Sequence, residues 1–306
     1  MKKLFALALL LITLPFIAAC GADGNGTSDE PLIGVSLFSL EDAFCIAIHE
    51  GIRMAEEEFG ANLMVVDNLN DIAKNTSDIE DLMAAGMSAL VVVPVNSQAV
   101  TPVIEDVLAA GIPVVAVNRW VADIPVDGVT HVWTGTDNVQ AGAAKGRRFM
   151  ELVDEGTRIV ILEGTPGAGS GIDRLAGFLS VVEGRVEILA SQSGYFNRVD
   201  GMNVAENLLV AHPDIEVIVA LNDEMALGAI EAAIAAGRRP GEDIFITGFD
   251  ALADARAAVN AGHMLFTIYQ NPQGMGRKGV EIALGLLRGE TFPPTIGFDI
   301  GFFEGD

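Results

Sequence analysis

Cysteine and histidine are scarce in this chain of 306 residues, with two of the first and four of the second. Apart from Cys20, only Cys45 remains, so no intramolecular disulfide is expected. Cys45 falls in an apolar helical pattern and reads as a small packing residue. His49, His131, His212 and His263 are scattered. They form no HxxxH or HExxH pair, and there is no CxxC, so no metal site is expected. Basic residues are also few: 18 Lys and Arg stand against 42 Asp and Glu, for a formal net charge of −24. Such a body repels nucleic acid and anionic lipid surfaces, and no nucleic-acid partner is expected. Anionic ligands are disfavoured unless the site is locally basic.

The first twenty residues read as an export signal rather than as part of the fold. Lys2 and Lys3 precede an apolar run from Leu4 to Phe16, too short for a comfortable membrane span. Ile17-Ala18-Ala19-Cys20 resembles a bacterial lipobox, which implies cleavage before Cys20 and lipidation of its thiol. The protein is then exported and lipid-anchored to the cell membrane, facing the periplasm or cell exterior. Residues 21–31, GADGNGTSDEP, read as a flexible tether. Loss of Lys2 and Lys3 takes the formal charge from −24 to −26. No transmembrane helix is expected after the signal.

From Leu32 onward the pattern is α/β. Leu32–Leu37, Leu63–Val66, Leu90–Val93 and Val114–Val117 read as strands. Phe44–Phe59, Ile72–Ala85 and Pro102–Ala110 read as helices between them. Phe44, Ile48, Ile52, Ala55 and Phe59 recur at steps of three and four and make one apolar face. The pattern restarts after Asn138. Strands are expected at Arg158–Leu162, Val186–Ala190, Val217–Ala220, Ile244–Thr247 and Met264–Tyr269. Helices are expected near Ala141–Val153, Asp173–Val182, Val199–Ala211, Glu224–Ala236, Ala251–Asn260 and Gln273–Arg288. Two similar halves account for this better than one sheet of ten or more strands.

In open α/β sheets, ligands bind beyond the carboxyl ends of the strands. Those ends carry a consistent set: Asp42 and Phe44, then Asn118 and Arg119, then Arg174, Phe196, Asn222, Asp250 and Gln270. Asp223, beside Asn222, is a good helix N-cap. A sugar hydroxyl both donates and accepts, so carboxylates, amides and guanidinium groups together suit it. The C–H face of its ring packs on an aromatic side chain.

Enzyme chemistry fits less well. In Gly164–Arg174, GTPGAGSGIDR, Ser170 stands where a Walker lysine belongs and Ile172 stands where a dinucleotide fingerprint needs glycine. Ser170 also lacks the flanking glycines of a nucleophile elbow. The loop reads as a permissive turn that delivers Arg174. Asp42, Asp223 and Asp250 could pair for glycoside hydrolysis, but their Arg, Asn and Gln neighbours suit ground-state hydrogen bonding. No enzyme, catalytic residue or cofactor is expected.

Four segments, GIPVVAVNR (111–119), TDNVQAG (136–142), NLLVAHPDIEVIVALNDEMALGA (207–229) and GFDA (248–251), carry a family resemblance. From about Leu32 to Asp306 the chain resembles the ribose-type periplasmic sugar-binding proteins, the substrate-capturing subunits of bacterial ABC importers. The resemblance implies a type I periplasmic binding protein: two Rossmann-like lobes with parallel sheets, joined by a three-crossing hinge. The crossings would fall near Thr136–Asp137, Gln270–Asn271 and Asp299–Ile300. The signal is then residues 1–20, the tether 21–31, the first lobe 32–136 plus 271–299, and the second 137–270 plus 300–306. Asp42, Phe44, Asn118, Arg119, Arg174, Phe196, Asn222, Asp250 and Gln270 match the family's ligand contacts. Asp42 replaces a family asparagine, Asn118 replaces an aspartate, and Cys45 replaces a second phenylalanine, for which Trp120 or Phe38 could substitute. A hexose, another pentose or a cyclitol such as inositol therefore fits as well as ribose. The implied partners are a monosaccharide or polyol and the membrane permease of an ABC importer. Docking on a chemoreceptor or sensor kinase is the alternative. A monomer is expected.

Overall fold

The computed structural model describes residues 30–305. The export signal, Cys20 and all but the end of the tether lie outside the described residues, as does Asp306. Pro31–Asp306 forms a single compact unit by contact.

The first part of the chain runs β1 (Leu32–Leu37), α1 (Ala43–Phe59), β2 (Asn62–Asp67), α2 (Ile72–Ala84), β3 (Ala89–Val92), α3 (Thr101–Ala109), β4 (Val114–Val117) and β5 (His131–Gly135). It continues with α4 (Asn138–Leu152), β6 (Arg158–Glu163), α5 (Gly169–Val182), β7 (Glu187–Ser193), α6 (Arg198–Ala211), β8 (Val217–Ala220) and α7 (Asp223–Ala235). The last elements are β9 (Phe245–Thr247), α8 (Ala253–Asn260), β10 (Thr267–Tyr269), α9 (Pro272–Leu287), β11 (Thr295–Gly297) and β12 (Gly301–Phe303).

Two parallel sheets divide these elements into two lobes. The first lobe has a six-stranded sheet in the order β11-β5-β4-β3-β1-β2, and the second a four-stranded sheet in the order β7-β6-β8-β9. β10 and β12 make a separate antiparallel pair. Alternate side chains of the central strands enter different cores, as a pleated strand buried on both faces requires. Val91 packs with α1 and α9, whereas Leu90 and Val92 pack with α2 and α3. The second lobe is built around one large cluster that includes Ile159, Val219, Ile246 and Phe178.

The chain passes between lobes three times. It leaves the six-stranded sheet after β5, returns between β10 and α9, and leaves again between β11 and β12. α9 thus packs on α1, and their backbones approach closely: a Cβ at Gly276 would lie 2.0 Å from the Ile48 carbonyl oxygen.

Several expected boundaries move. β5, β11 and β12 were not foreseen. β10 begins at Thr267 rather than Met264, because Phe266 makes only an isolated bridge to Thr247. α4 starts at Asn138 and α5 at Gly169, earlier than expected. Asp137 caps α4 by accepting from the Gln140 amide at 2.9 Å. The GSG of the glycine-rich loop is the first turn of α5 rather than a turn before it. α8 starts at Ala253, two residues late, because Asp250 and Ala251 hold positive φ of 123° and 52°. Among the described residues, no helix is long and apolar enough to cross a membrane.

Candidate functional site

Eight of the nine expected contact residues meet in one small cavity between the lobes. Asp42, Phe44, Asn118 and Arg119 come from the first lobe; Arg174, Phe196, Asn222 and Asp250 come from the second. Gln270 does not line it. Phe38 and Ser170 complete the lining.

Strand ends and helix starts place each group. Asn118 follows β4 and holds a positive φ of 61°. That conformation is uncommon but tolerated by asparagine. It buries the side chain and leaves its Oδ1 without a hydrogen-bond partner. Arg119 stacks on Phe38, with the guanidinium carbon 3.9 Å from the ring centroid. Its Nη1 donates to the carbonyls of Pro94 at 2.9 Å and Val95 at 3.2 Å, while Nε has no partner. Burial pulls its pKa down to about 10, so it stays charged at neutral pH. Asp42 caps α1, its Oδ1 accepting from the Cys45 amide at 2.8 Å. Burial pushes the Asp42 carboxyl up, against the pull of that hydrogen bond and of Arg119. Cys45 is fully buried, and burial raises its thiol to about 12, as suits a packing residue.

In the second lobe, Arg174 lies on α5, whose backbone rests against α4. A Cβ at Gly142 would sit 2.2 Å from the Arg174 carbonyl oxygen, so only glycine allows this approach. Arg174 Nε donates to Asn138 Oδ1 at 2.8 Å and Nη1 to the Leu221 carbonyl at 2.9 Å. Its guanidinium covers Phe249 at 3.8 Å and stands 3.5 Å from Asp250 Oδ1. Asp250 also accepts from Gln270 Nε2 at 2.6 Å. Gln270 therefore stands behind Asp250 and orients it. Burial raises the Asp250 carboxyl well above its ordinary value, opposed mainly by Arg174.

The helix caps differ from expectation. Asn222, not Asp223, caps α7: its Oδ1 accepts from the Met225 amide at 3.0 Å and its Nδ2 donates to the Phe196 carbonyl at 3.0 Å. Asp223 is fully buried behind the site, where Thr267 Oγ1 donates to it at 2.6 Å and the Leu252 amide at 2.8 Å. Asp250 caps no helix; Leu252 occupies the N-cap of α8 without a side-chain bond.

Lys145 escaped the sequence reading. Its Nζ donates to the carbonyls of Ala220 at 2.5 Å and Gly248 at 2.9 Å, the last residue of β8 and the first past β9. It thereby ties together the two strand ends that present Asn222 and Asp250. Burial lowers its pKa to about 7, partly offset by Asp223, whose own carboxyl burial raises to about 6. The signal was available: Ala141, Lys145 and Phe149 fall at i, i+4 and i+8, on the apolar face of α4. Of the two aromatic candidates to replace Cys45, Phe38 lines the cavity, whereas Trp120 does not and donates to Asp173 at 2.7 Å.

The lobes touch across the cleft. The Ser97 amide donates to the Gly167 carbonyl at 3.0 Å, and the Gly169 amide to Ser97 Oγ at 3.2 Å. The glycine-rich loop thus forms part of the closed contact. Within it, a Cβ at Gly169 would lie 2.7 Å from both Ser97 Oγ and Trp120 Cε2. In this closed arrangement the cavity measures about 20 Å³.

Comparison with known proteins places the chain in a family. The profile of the family described as "Periplasmic binding protein domain" matches residues 33–291. The chain is 33% identical over 304 residues to the ribose import binding protein RbsB of Bacillus subtilis, covering 97% of each. A crystal structure of a Mycobacterium smegmatis protein in complex with β-D-fucofuranose superposes with a TM-score of 0.84 at 32% identity, covering 89% of this chain and 91% of that one. The Caulobacter myo-inositol binding protein, bound to myo-inositol, superposes with a TM-score of 0.82 at 27% identity, covering 89% and 92%. The chain belongs to the periplasmic binding protein domain family, among its ribose-type members.

Proposed function

We propose that this protein captures a neutral monosaccharide or polyol between its lobes and delivers it to the membrane permease of an ABC importer. A lipid on Cys20 would hold it at the membrane. The lobes would comprise 32–136 plus 271–299 and 137–270 plus 300–306.

The observation that carries the reading is the balance of groups around the cavity. Two buried arginines, Arg119 and Arg174, face two carboxylates, Asp42 and Asp250. The formal charges cancel, which suits a neutral ligand rich in both donors and acceptors. Asn118 Oδ1 and Arg119 Nε are buried without partners, and buried polar atoms normally have one. Phe38, Phe44 and Phe196 provide apolar surface for a ring face. The relatives named above bind ribose, a fucofuranose and myo-inositol, all neutral polyhydroxylated rings.

A thermal-shift screen of pentoses, hexoses and cyclitols tests this. A ligand at a hundred times its Kd stabilises the folded state by ~2.7 kcal/mol, so the melting temperature should rise clearly for at least one of them. A folded protein that responds to none would overturn the reading.

A further inference from the structure

The glycine-rich loop and the first turn of α5 meet different neighbours on two sides. Toward the sugar cavity, Ser170 lines the wall and the Phe196 ring lies over the glycines beside it. A Cβ at Gly164 would sit 2.1 Å from Phe196 Cζ, and one at Gly171 would sit 3.1 Å from the same atom. Toward the first lobe, a Cβ at Gly167 would sit 1.9 Å from Asn96 Nδ2, and one at Gly169 would sit 2.7 Å from Trp120 Cε2. Side chains at Gly167 and Gly169 would hold the lobes apart. The glycines thus make a seat for Asn96, Ser97 and Trp120 of the first lobe.

Hydrogen bonds fasten that seat. Besides the two bonds between Ser97 and the loop, Trp120 Nε1 donates to Asp173 Oδ2 at 2.7 Å. This bond joins the lobes through two side chains, and its acceptor is a carboxylate, which makes it stronger than a neutral one. Trp120 and Asp173 are each half-buried, and neither lines the sugar cavity. Each is nevertheless the chain neighbour of an arginine that does: Trp120 follows Arg119, and Asp173 precedes Arg174. Fastening the two latch residues therefore sets the two arginines across the cavity from each other.

Contacts made between lobes favour the closed form whatever the ligand. A ligand held by both lobes then binds more tightly by the factor by which those contacts raise the closed population.

We propose that the Trp120–Asp173 hydrogen bond, seated on the glycine-rich loop, is a latch that sets sugar affinity without touching the sugar. This inference rests on the sugar-site reading above.

The test is calorimetric titration of the full chain with D-ribose, D-allose, L-arabinose, D-fucose and myo-inositol, followed by variants titrated with whichever of these the parent binds most tightly. Trp120→Phe keeps a ring over Gly169 but loses the donor, and Asp173→Ala loses the acceptor. Each should raise Kd about three- to tenfold, with the melting temperature in the absence of sugar nearly unchanged. The double variant should bind no more weakly than the weaker single variant, because both remove one interaction. Asp173→Asn keeps an acceptor and should recover most of the loss. An unchanged Kd in either single variant, additive losses in the double variant, or a lower melting temperature with parental Kd overturns the latch while the parent still binds sugar. If the parent binds none of the five compounds, the sugar-site reading itself falls, and the latch with it.

Discussion

Arg174 and Asp250 stand 3.5 Å apart at the carboxyl ends of the second lobe's strands, both almost completely buried. Neither is held by the other alone. Arg174 bonds Asn138 and the Leu221 carbonyl, and Asp250 accepts from Gln270. The pair is thus fixed in place before a ligand arrives, and such preorganisation reduces the cost of binding.

Asp250→Asn should weaken ligand binding by about ten- to a hundredfold, since a hydrogen bond to a charged group contributes roughly 1.5–3 kcal/mol. The amide oxygen can still accept from Gln270, and the penalty of burying a carboxylate disappears. Stability should therefore change little. Calorimetric titration and a melting curve on the same variant decide this. A lower melting temperature with an unchanged Kd would remove Asp250 from the site.

Arg174→Ala should weaken binding at least as much but also lower the melting temperature. The side chain links Asn138, the end of β8 and Phe249, and its removal leaves the Asn138 and Leu221 oxygens unpaired. Intact stability in Arg174→Ala would contradict that account.

Gly169→Val tests closure. The added side chain meets Ser97 and Trp120 only when the lobes are together. The variant should melt like the parent without ligand and bind sugar about tenfold or more weakly. Parental affinity would show that this contact is not part of the bound state.

Lys145 should leave a signature in the pH dependence of stability. Its pKa is about 7 when folded and near 10.4 in an unfolded chain. Between those values the unfolded chain holds a proton that the folded protein lacks, so stability rises with pH across that window. Asp223 acts at lower pH: its carboxyl, raised to about 6, makes stability fall as pH rises from about 4 to 6. Lys145→Met should be less stable than the parent at pH 7 by roughly 1–3 kcal/mol, because two buried carbonyls lose their donor. It should also lose the rise in melting temperature between pH 7 and 9. Parallel curves for variant and parent would refute the assignment.

Cys20→Ser should release the protein from the membrane fraction, as the Ile17–Cys20 motif implies. Equal membrane retention of the variant would end the lipid-anchor reading.

Much of this was legible in the sequence because strand burial is written in continuous β-branched runs. Val114–Val117 and Val217–Ala220 were read to the residue. The polar groups after those runs identified the cavity lining, since strand ends are where a parallel sheet exposes side chains. The unforeseen elements lack that signal. β5 mixes His131, Trp133 and Thr134, while β11 and β12 are three residues each and include glycine. Cap geometry was also out of reach: Asn222 and Asp223 are both good caps, and only the burial of Asp223 against Thr267 decides between them. Lys145 was not singled out, although its i, i+4 spacing from Ala141 places it on the buried face of α4.

The central claim is that one neutral polyhydroxylated ring is held between the lobes by groups from both. A crystal structure with the tightest-binding sugar or cyclitol from the screen tests it most directly. The account predicts the ring between Phe38, Phe44 and Phe196, with its hydroxyls on Arg119, Asn118, Arg174 and Asp250 and the lobes closed around it. A ligand bound on one lobe alone, or away from these side chains, would contradict it.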